Sequence, residues 1–171
     1  MEWCISFAVH EKSIIQLFNM TQKHFYILLK IIAKDLKENF PDLQDLLTSY
    51  TMKTVALWIV EFYHKRNWDR SPLLERLREA LYFLEFCVEN WNLPVCFITE
   101  NNLFDGKIND FKAKRLSGLL NDLLSQGAEC VLRLPSIQQR RQIIFIRGLG
   151  QTLDICCSGI EMVNLIRSST E

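Results

Sequence analysis

The stretch TSYTMKTVALW, residues 48–58, places hydroxyl side chains and one lysine directly in front of an apolar run. Apolar residues continue to about His64, which is too long for an ordinary strand. The residues from Val55 to Val60 surround the helix axis, so we predict a helix that begins near Ser49 and lies at the centre of the fold. Its polar start has two interpretations: an ordinary helix start, with Ser49 as N-cap and Tyr50 packed on the core, or the border of a pocket.

The segment before this stretch has helical periodicity. In TQKHFYILLKIIAKDLKENF, residues 21–40, apolar residues fall on one face at the i, i+3, i+4, i+7 spacing. These residues are Phe25, Leu28, Leu29, Ile32 and Leu36. Thr21 is the predicted N-cap, and Pro41 is predicted to end the helix soon after Phe40.

The segment RSPLLERLREALYFLEFCVENW, residues 70–91, predicts another amphipathic helix. The Ser71 hydroxyl can accept a hydrogen bond from an amide of the first turn. Pro72 suits the first helical position, where the backbone N–H that proline lacks would have no partner within the helix. The predicted buried face consists of Leu74, Leu77, Leu81, Leu84 and Val88. The pair Asn92-Leu93 is predicted to end the helix before Pro94.

An extended segment and further helices follow. In PVCFITENNLF, residues 94–104, Phe97 and Phe104 are the predicted anchors on the helices. In DFKAKRLSGLLNDLLSQG, residues 110–127, Asp110 is the predicted cap and Gly127 the predicted stop. The leucines predicted to pack there are Leu116, Leu119, Leu120 and Leu123.

The remaining residues carry weaker helical signals. A capping-box pattern at Ser136 to Gln139 opens a predicted helix through Arg147 that Gly148 terminates. A last helix is predicted over residues 151–167. Because no repeat, low-complexity segment or Gly/Ser linker interrupts the chain, residues 1–171 are predicted to form a single compact all-α, multi-helix domain.

Charge and composition narrow the class of protein. Lys plus Arg (20) balances Asp plus Glu (20), so no net field draws the chain to nucleic acid or to an anionic membrane. Local basic clusters exist at Lys112, Lys114 and Arg115 and between Arg133 and Arg147. They are interpreted first as solvated helix faces, with phosphate contact as the alternative.

The N-terminus and the cysteines indicate the compartment. The sequence contains no uncharged apolar run of about 18 residues, so we expect no membrane span. MEWCISFAVHEK lacks the basic and apolar regions of a signal peptide, which favours a cytoplasmic or nuclear protein. The six cysteines show no CxxC spacing and are interpreted as reduced, mostly buried thiols. We expect no zinc site, because His and Cys do not pair at ligand spacing.

Common enzyme signatures are absent from the sequence. It contains no GxGxxG, GxxxxGK[ST], HExxH or GxSxG motif. Acidic residues such as Asp42, Asp45 and Asp110 flank predicted helices, where a carboxylate stabilises the positive end of the helix dipole. Two-metal phosphoryl transfer requires carboxylates that converge on one rigid site, and the sequence spacing of these acids does not predict such convergence.

Four blocks in order resemble a known family. They are WCISFAVHEKSII, SYTMKTVALW, NWDRSPLLERLREAL and LPVCFITENNLF, between residue 3 and about residue 104. Together they resemble the C-terminal helical lobe of the Mab-like (male-abnormal-twenty-one) domain family, in the superfamily of cyclic GMP–AMP synthase. The resemblance does not cover residues 105–171, which are predicted to add further helices.

The resemblance implies candidate nucleotide-binding residues. In the nucleotide-cyclising members, a serine-tyrosine pair matches Ser49 and Tyr50, and the tyrosine ring stacks on a base. A helical lysine that serves as a point charge for phosphate matches Lys30. A further base-contacting serine matches Ser6. For Lys30 the alternative interpretation is a solvated side chain on an amphipathic helix.

The sequence also departs from the family pattern. Cys4 replaces the arginine of the usual block, and Ala8 replaces the serine that would form a capping box with Glu11. NMTQKHF, residues 19–25, joins two helices directly where DNA-sensing members insert a Cys/His zinc thumb. We therefore expect no zinc and no binding of nucleic acid.

The family's metal-binding carboxylates and Gly-Ser turn belong to an α/β lobe that precedes the helical lobe. No such segment is encoded here, so we expect no catalytic residue and no enzyme activity, and Mg²⁺ or Mn²⁺ only if a catalytic lobe lies upstream. The chain is thus expected to be a short isoform or truncated member of the family. It would bind a protein partner through the surface that faces the catalytic lobe in relatives, which is half of a cleft and is exposed here. The alternatives are a weak nucleotide-binding remnant and a fragment of a larger nucleotidyltransferase.

Overall fold

The computed structural model describes residues 8–63, 68 and 73–126, with side chains from residue 13 onward. These residues form α1 (Ala8–Leu17), α2 (Met20–Asn39), α3 (Ser49–Tyr63), α4 (Leu73–Glu89) and α5 (Asp110–Ser125). A short 3₁₀ turn (Pro41–Leu43) follows α2, and an antiparallel hairpin of β1 (Pro94–Val95) and β2 (Ile98–Asn102) precedes α5. The predicted all-helical class is confirmed, with the hairpin as an addition.

The core lies between α2, α3, α4 and α5. α3 packs against α2 and α4, and α4 also packs against α2 and α5. The predicted burial of the α3 run is confirmed for Val55, Ala56, Leu57 and Ile59. Trp58 and Val60 are only half-buried, so the run does not bury every side of the helix. α4 contacts three helices, which makes it at least as central as α3.

The start of α2 is fixed by a reciprocal cap. Asn19 Oδ1 accepts from the Gln22 amide at 2.8 Å, and Gln22 Oε1 accepts from the Asn19 amide at 2.9 Å. Such a cap contributes about 1 kcal/mol. The prediction of Thr21 as N-cap is wrong, because Asn19 has the extended backbone that a cap requires and Thr21 is already inside the helix. The predicted end is confirmed: Pro41, which has no amide hydrogen, follows the C-cap Phe40.

Two other helices also have an N-cap earlier than the predicted residue, in each case by one position. The Thr51 amide donates to Thr48 Oγ1 at 3.0 Å, which makes Thr48 the cap of α3. Asn109 caps α5 through a 2.9 Å bond from the Lys112 amide. The predictions of Ser49 and Asp110 as caps are therefore wrong. Each is the first residue of its helix.

α4 ends earlier than predicted, at Glu89, in a Schellman motif. The Trp91 amide donates to the Val88 carbonyl at 3.2 Å and the Asn92 amide to the Cys87 carbonyl at 2.9 Å. Trp91 has a positive φ of 53°, in the left-handed region. The chain reversal removes Asn92 and the residues after it from the helix.

Asn102 connects the hairpin to this reversal. Its Oδ1 accepts from the amides of Leu93 at 2.9 Å and Phe104 at 3.0 Å, and its Nδ2 donates to the Trp91 carbonyl at 2.8 Å. Phe104 is completely buried, which confirms it as an anchor. Phe97 remains 37% exposed. Its prediction as a second anchor is wrong because it lies in the two-residue turn between β1 and β2.

Several predictions concern residues outside the described ranges. These are the helix start at Ser71 and Pro72, the stop at Gly127, the helices over 136–147 and 151–167, and the candidate site residue Ser6. Within the described ranges, the helices are all too short or too polar to cross a membrane.

Candidate functional site

The start of α3 presents the predicted serine-tyrosine pair at the surface. Ser49 is exposed, and Tyr50 keeps 38% of its surface exposed. The Nζ of Lys53 lies 4.4 Å from the centroid of the Tyr50 ring, a cation–π contact within the first turn of the helix. Tyr50 is thus not among the fully buried residues of the core.

Lys30 lies on the exposed side of α2. Its Nζ is 5.5 Å from the Tyr26 ring centroid, one helical turn earlier. Lys30 also precedes the end of α2 by nine residues, about 14 Å along the axis. α2 and α3 pack together, so the structure presents two tyrosine–lysine pairs on neighbouring helices: Tyr26 with Lys30, and Tyr50 with Lys53.

The basic cluster of α5 is neutralised by carboxylates. Lys112 Nζ lies 2.6 Å from Asp45 and Lys114 Nζ 2.8 Å from Asp110. Arg115 pairs with Asp42 at 3.5 Å. These pairs argue against phosphate contacts, because each cation already has an acidic partner. Lys112 is mostly buried, so its interpretation as a solvated residue is also wrong.

The same pairs revise the role of two acids. Asp42 and Asp45 lie in the 3₁₀ turn and the turn after it, between α2 and α3. Their carboxylates face Arg115 and Lys112 of α5. Their predicted role, stabilising a helix dipole, is replaced by ion pairing that connects α5 to the turn before α3.

A cavity of about 510 Å³ opens between the end of α4 and α5. Its lining comprises Glu89, Trp91, Asp110, Ala113, Lys114, Ser117, Gly118 and Asn121. Trp91 is 43% exposed. A Cβ added at Gly118 would meet no atom within 4 Å, so the space above this helix position is open. We call this cavity the α4–α5 groove.

The charge of the α4–α5 groove is negative. Glu89 and Asp110 contribute two carboxylates, and Lys114, the cation of the lining, is already paired with Asp110. Glu85 lies one turn before Glu89 and interacts with Ser117 and Asn121 of the lining. Burial and the nearby Glu89 carboxylate raise the pKa of Glu85, whereas the hydrogen bonds from Asn121 and Ser117 oppose this shift.

Cys87 is a buried thiol of α4. Burial raises the pKa of Cys87 to about 12, so its thiol stays protonated at neutral pH and is a poor nucleophile. Within residues 8–63, 68 and 73–126, the His, Cys, Asp and Glu side chains form no group of three that could hold a metal ion.

The sequence analysis missed Trp91 and Glu89. A usable signal was present: Asn90-Trp91-Asn92 places a large aromatic residue between two turn-forming asparagines after the apolar periodicity of α4 has ended. A tryptophan at such a position has no place on the buried face of the helix.

Comparison with known proteins identifies the family. A search of the solved structures gave no match. The family model of the Mab-21 protein HhH/H2TH-like domain matches residues 21–124. This range runs from the first turn of α2 almost to the end of α5, including α3, α4 and the hairpin. Because the match spans more than half of the 171 residues, the chain belongs to the family of the Mab-21 protein HhH/H2TH-like domain.

Proposed function

We propose that this chain is a non-catalytic helical lobe that binds a protein partner through exposed aromatic side chains. The observation that carries the proposal is the exposure of Tyr82, Phe86 and Trp91, at 45%, 62% and 43%. We call these three residues the aromatic surface. Buried aromatic side chains are the residues that most often dominate the binding energy of protein interfaces.

The geometry of α4 supports a continuous surface. Tyr82 and Phe86 are four residues apart, so their Cβ atoms lie about 6 Å apart on one face. Trp91 follows within two residues of the end of the same helix. Covering one such side chain contributes about 1.5–3 kcal/mol, so three of them can anchor an interface.

The proposal assigns binding rather than catalysis to these residues. In the family that the sequence resembles, metal-binding carboxylates belong to the α/β lobe, whereas the matched residues form the helical domain. The acids Asp42, Asp45 and Asp110 are paired with Arg115, Lys112 and Lys114. If this chain is a fragment of a larger nucleotidyltransferase, the aromatic surface would serve the same role within it.

A peptide-display selection on the purified 171-residue protein tests the proposal. Peptides enriched by the wild type should bind at least about tenfold more weakly to the double variant Tyr82→Ser/Phe86→Ser, because two apolar contacts are lost. Phe62→Ser is the matched control, since Phe62 is 77% exposed on α3. Equal loss in the control, or no loss in the double variant, contradicts the proposal. Chelator-sensitive turnover of a nucleoside triphosphate by this protein contradicts its non-catalytic part.

A second candidate function is weak nucleotide binding at the start of α3. The observation that favours it is the exposed Tyr50 ring beside Lys53, because a ring face can stack on a base and a lysine can attract phosphate. ATP or GTP should then shift the NMR signals of Ser49, Tyr50 and Lys30, and Tyr50→Ala should abolish the shifts. Unchanged signals at millimolar nucleotide contradict this candidate.

A further inference from the structure

The α4–α5 groove combines three features that suit a specific ligand. It is a concave space of about 510 Å³, within the 300–1,000 Å³ typical of binding clefts. Its lining includes the indole of Trp91 and the carboxylate of Glu89. The opposite wall, formed by α5, is polar at Ser117 and Asn121.

The backbone holds Trp91 in an unusual conformation. Trp91 occupies the left-handed position of the Schellman motif, where glycine is the common residue. A residue with a Cβ is strained at this φ. The Asn102 amide also donates to the Trp91 carbonyl at 2.8 Å, which fixes the orientation of the peptide. These backbone contacts hold residue 91 at the end of α4, where Trp91 lines the groove.

The charge of the groove selects a cation. Two carboxylates and one lysine line it, and Glu85 adds a further carboxyl group bonded to its wall. Lys114 is held by Asp110 at 2.8 Å, which leaves Glu89 as the lining carboxylate for a ligand. An anionic ligand such as a phosphate would meet net negative charge here.

We propose that the α4–α5 groove binds an arginine side chain of a protein partner, with the guanidinium stacked on the Trp91 indole and paired with the Glu89 carboxylate. The inference rests on the proposed function and adds the chemistry of the partner to it. A guanidinium is planar, stacks on aromatic faces and forms forked bonds to carboxylates, which the compact ammonium of lysine cannot do. The aliphatic stem of the arginine packs along Ala113 and Gly118.

NMR titration with defined peptides tests the inference directly. The probe is the peptide acetyl-Ala-Ala-Arg-Ala-Ala-amide, and the matched control replaces arginine by citrulline, which has the same shape without the charge. The arginine peptide should shift the Trp91 indole N–H signal with a millimolar Kd. The citrulline peptide should bind at least about tenfold more weakly, and the corresponding lysine peptide should fall between them.

Two variants separate binding from folding. Trp91→Gly removes the indole and suits the left-handed backbone, so the protein should unfold at the same or higher urea concentration while losing the binding of the arginine peptide. Glu89→Gln keeps the shape of the groove and should weaken binding at least about fivefold. Phe62→Ser should leave the affinity unchanged. Equal affinity for arginine and citrulline peptides, or undiminished binding by Trp91→Gly or Glu89→Gln, overturns the inference.

The display selection distinguishes failure of this inference from failure of the proposed function. If selected peptides depend on Tyr82 and Phe86 but bind Trp91→Gly and Glu89→Gln as well as the wild type, the interaction function stands and the arginine site is wrong. If no selected peptide depends on any of these residues, both are wrong. Enrichment of arginine in peptides that require Trp91 supports both.

Discussion

Lys112 and Asp45, 67 residues apart in the chain, form an ion pair of 2.6 Å. The pair joins the first turns of α5 to the turn between α2 and α3. The Lys112 side chain is 21% exposed and that of Asp45 39% exposed. Lys112 donates to Asp45 Oδ2, whereas the buried Asp45 Oδ1 has no hydrogen-bond partner among the described residues. The carboxylate therefore depends on Lys112 for its compensation.

A double-mutant cycle on this pair should give a measurable coupling energy. We expect about 1 kcal/mol between Lys112→Ala and Asp45→Ala, because the pair is partly screened from water. The control is Lys114–Asp110, with side chains 78% and 71% exposed. Its coupling should be about 0.3 kcal/mol. Urea unfolding measures both, and equal coupling in the two cycles would refute the assigned role of Lys112.

Asn102 should be the most sensitive polar residue of the hairpin. Its side chain makes three hydrogen bonds to backbone groups, so Asn102→Ala should lower the free energy of unfolding by about 2–3 kcal/mol. Asn102→Asp retains the oxygen that accepts from both amides and loses only the donor to the Trp91 carbonyl, so its effect should be smaller. Asn101→Ala, an exposed neighbour on β2, should change stability by less than about 0.5 kcal/mol. Similar losses at positions 101 and 102 would contradict this role.

The two phenylalanines of the hairpin region provide another matched pair. Phe104 is completely buried, so Phe104→Ala should cost about 3–5 kcal/mol. Phe97 is 37% exposed, so Phe97→Ala should cost about 1 kcal/mol or less. Chemical unfolding of the two variants measures the difference. Comparable destabilisation would show that Phe97 anchors the segment after all.

Periodicity predicted the helices well because burial follows sequence spacing within one element. The apolar face of α2 and the long run of α3 therefore appear at the predicted positions. Helix starts were less accurate: Asn19, Thr48 and Asn109 cap helices for which a later residue was predicted. A cap depends on which side-chain oxygen reaches the third-residue amide, and spacing alone does not determine that geometry.

The candidate sites depended on contacts that no local pattern contains. Lys112 finds Asp45 only through the packing of α5 on a distant turn. The α4–α5 groove needs both the reversal at Trp91 and the face of α5 with Ser117 and Asn121. Family resemblance supplied Lys30, Ser49 and Tyr50, which lie at the surface of α2 and α3. It offered no information about Trp91, since no motif of the resemblance includes that position.

His24 should make stability depend on pH. It is buried on α2, and burial lowers its pKa from the ordinary value of 6.5 because the charged form loses hydration. The unfolded chain therefore binds more protons than the folded protein as pH falls through 6.5. The contribution of neutral His24 to stability is complete above this pKa and is lost on acidification towards the lower folded value.

The corresponding measurement compares wild type with His24→Gln by urea unfolding at about pH 7.5 and about pH 5.5, on either side of the ordinary histidine pKa. The wild type should lose more stability than the variant across this range, because glutamine does not titrate. The variant serves as the background for the chain's other two histidines and its carboxylates, which titrate in both proteins. Parallel curves for the two proteins would mean that His24 binds a proton as readily in the folded state as in the unfolded chain. That result would contradict the effect expected from its burial.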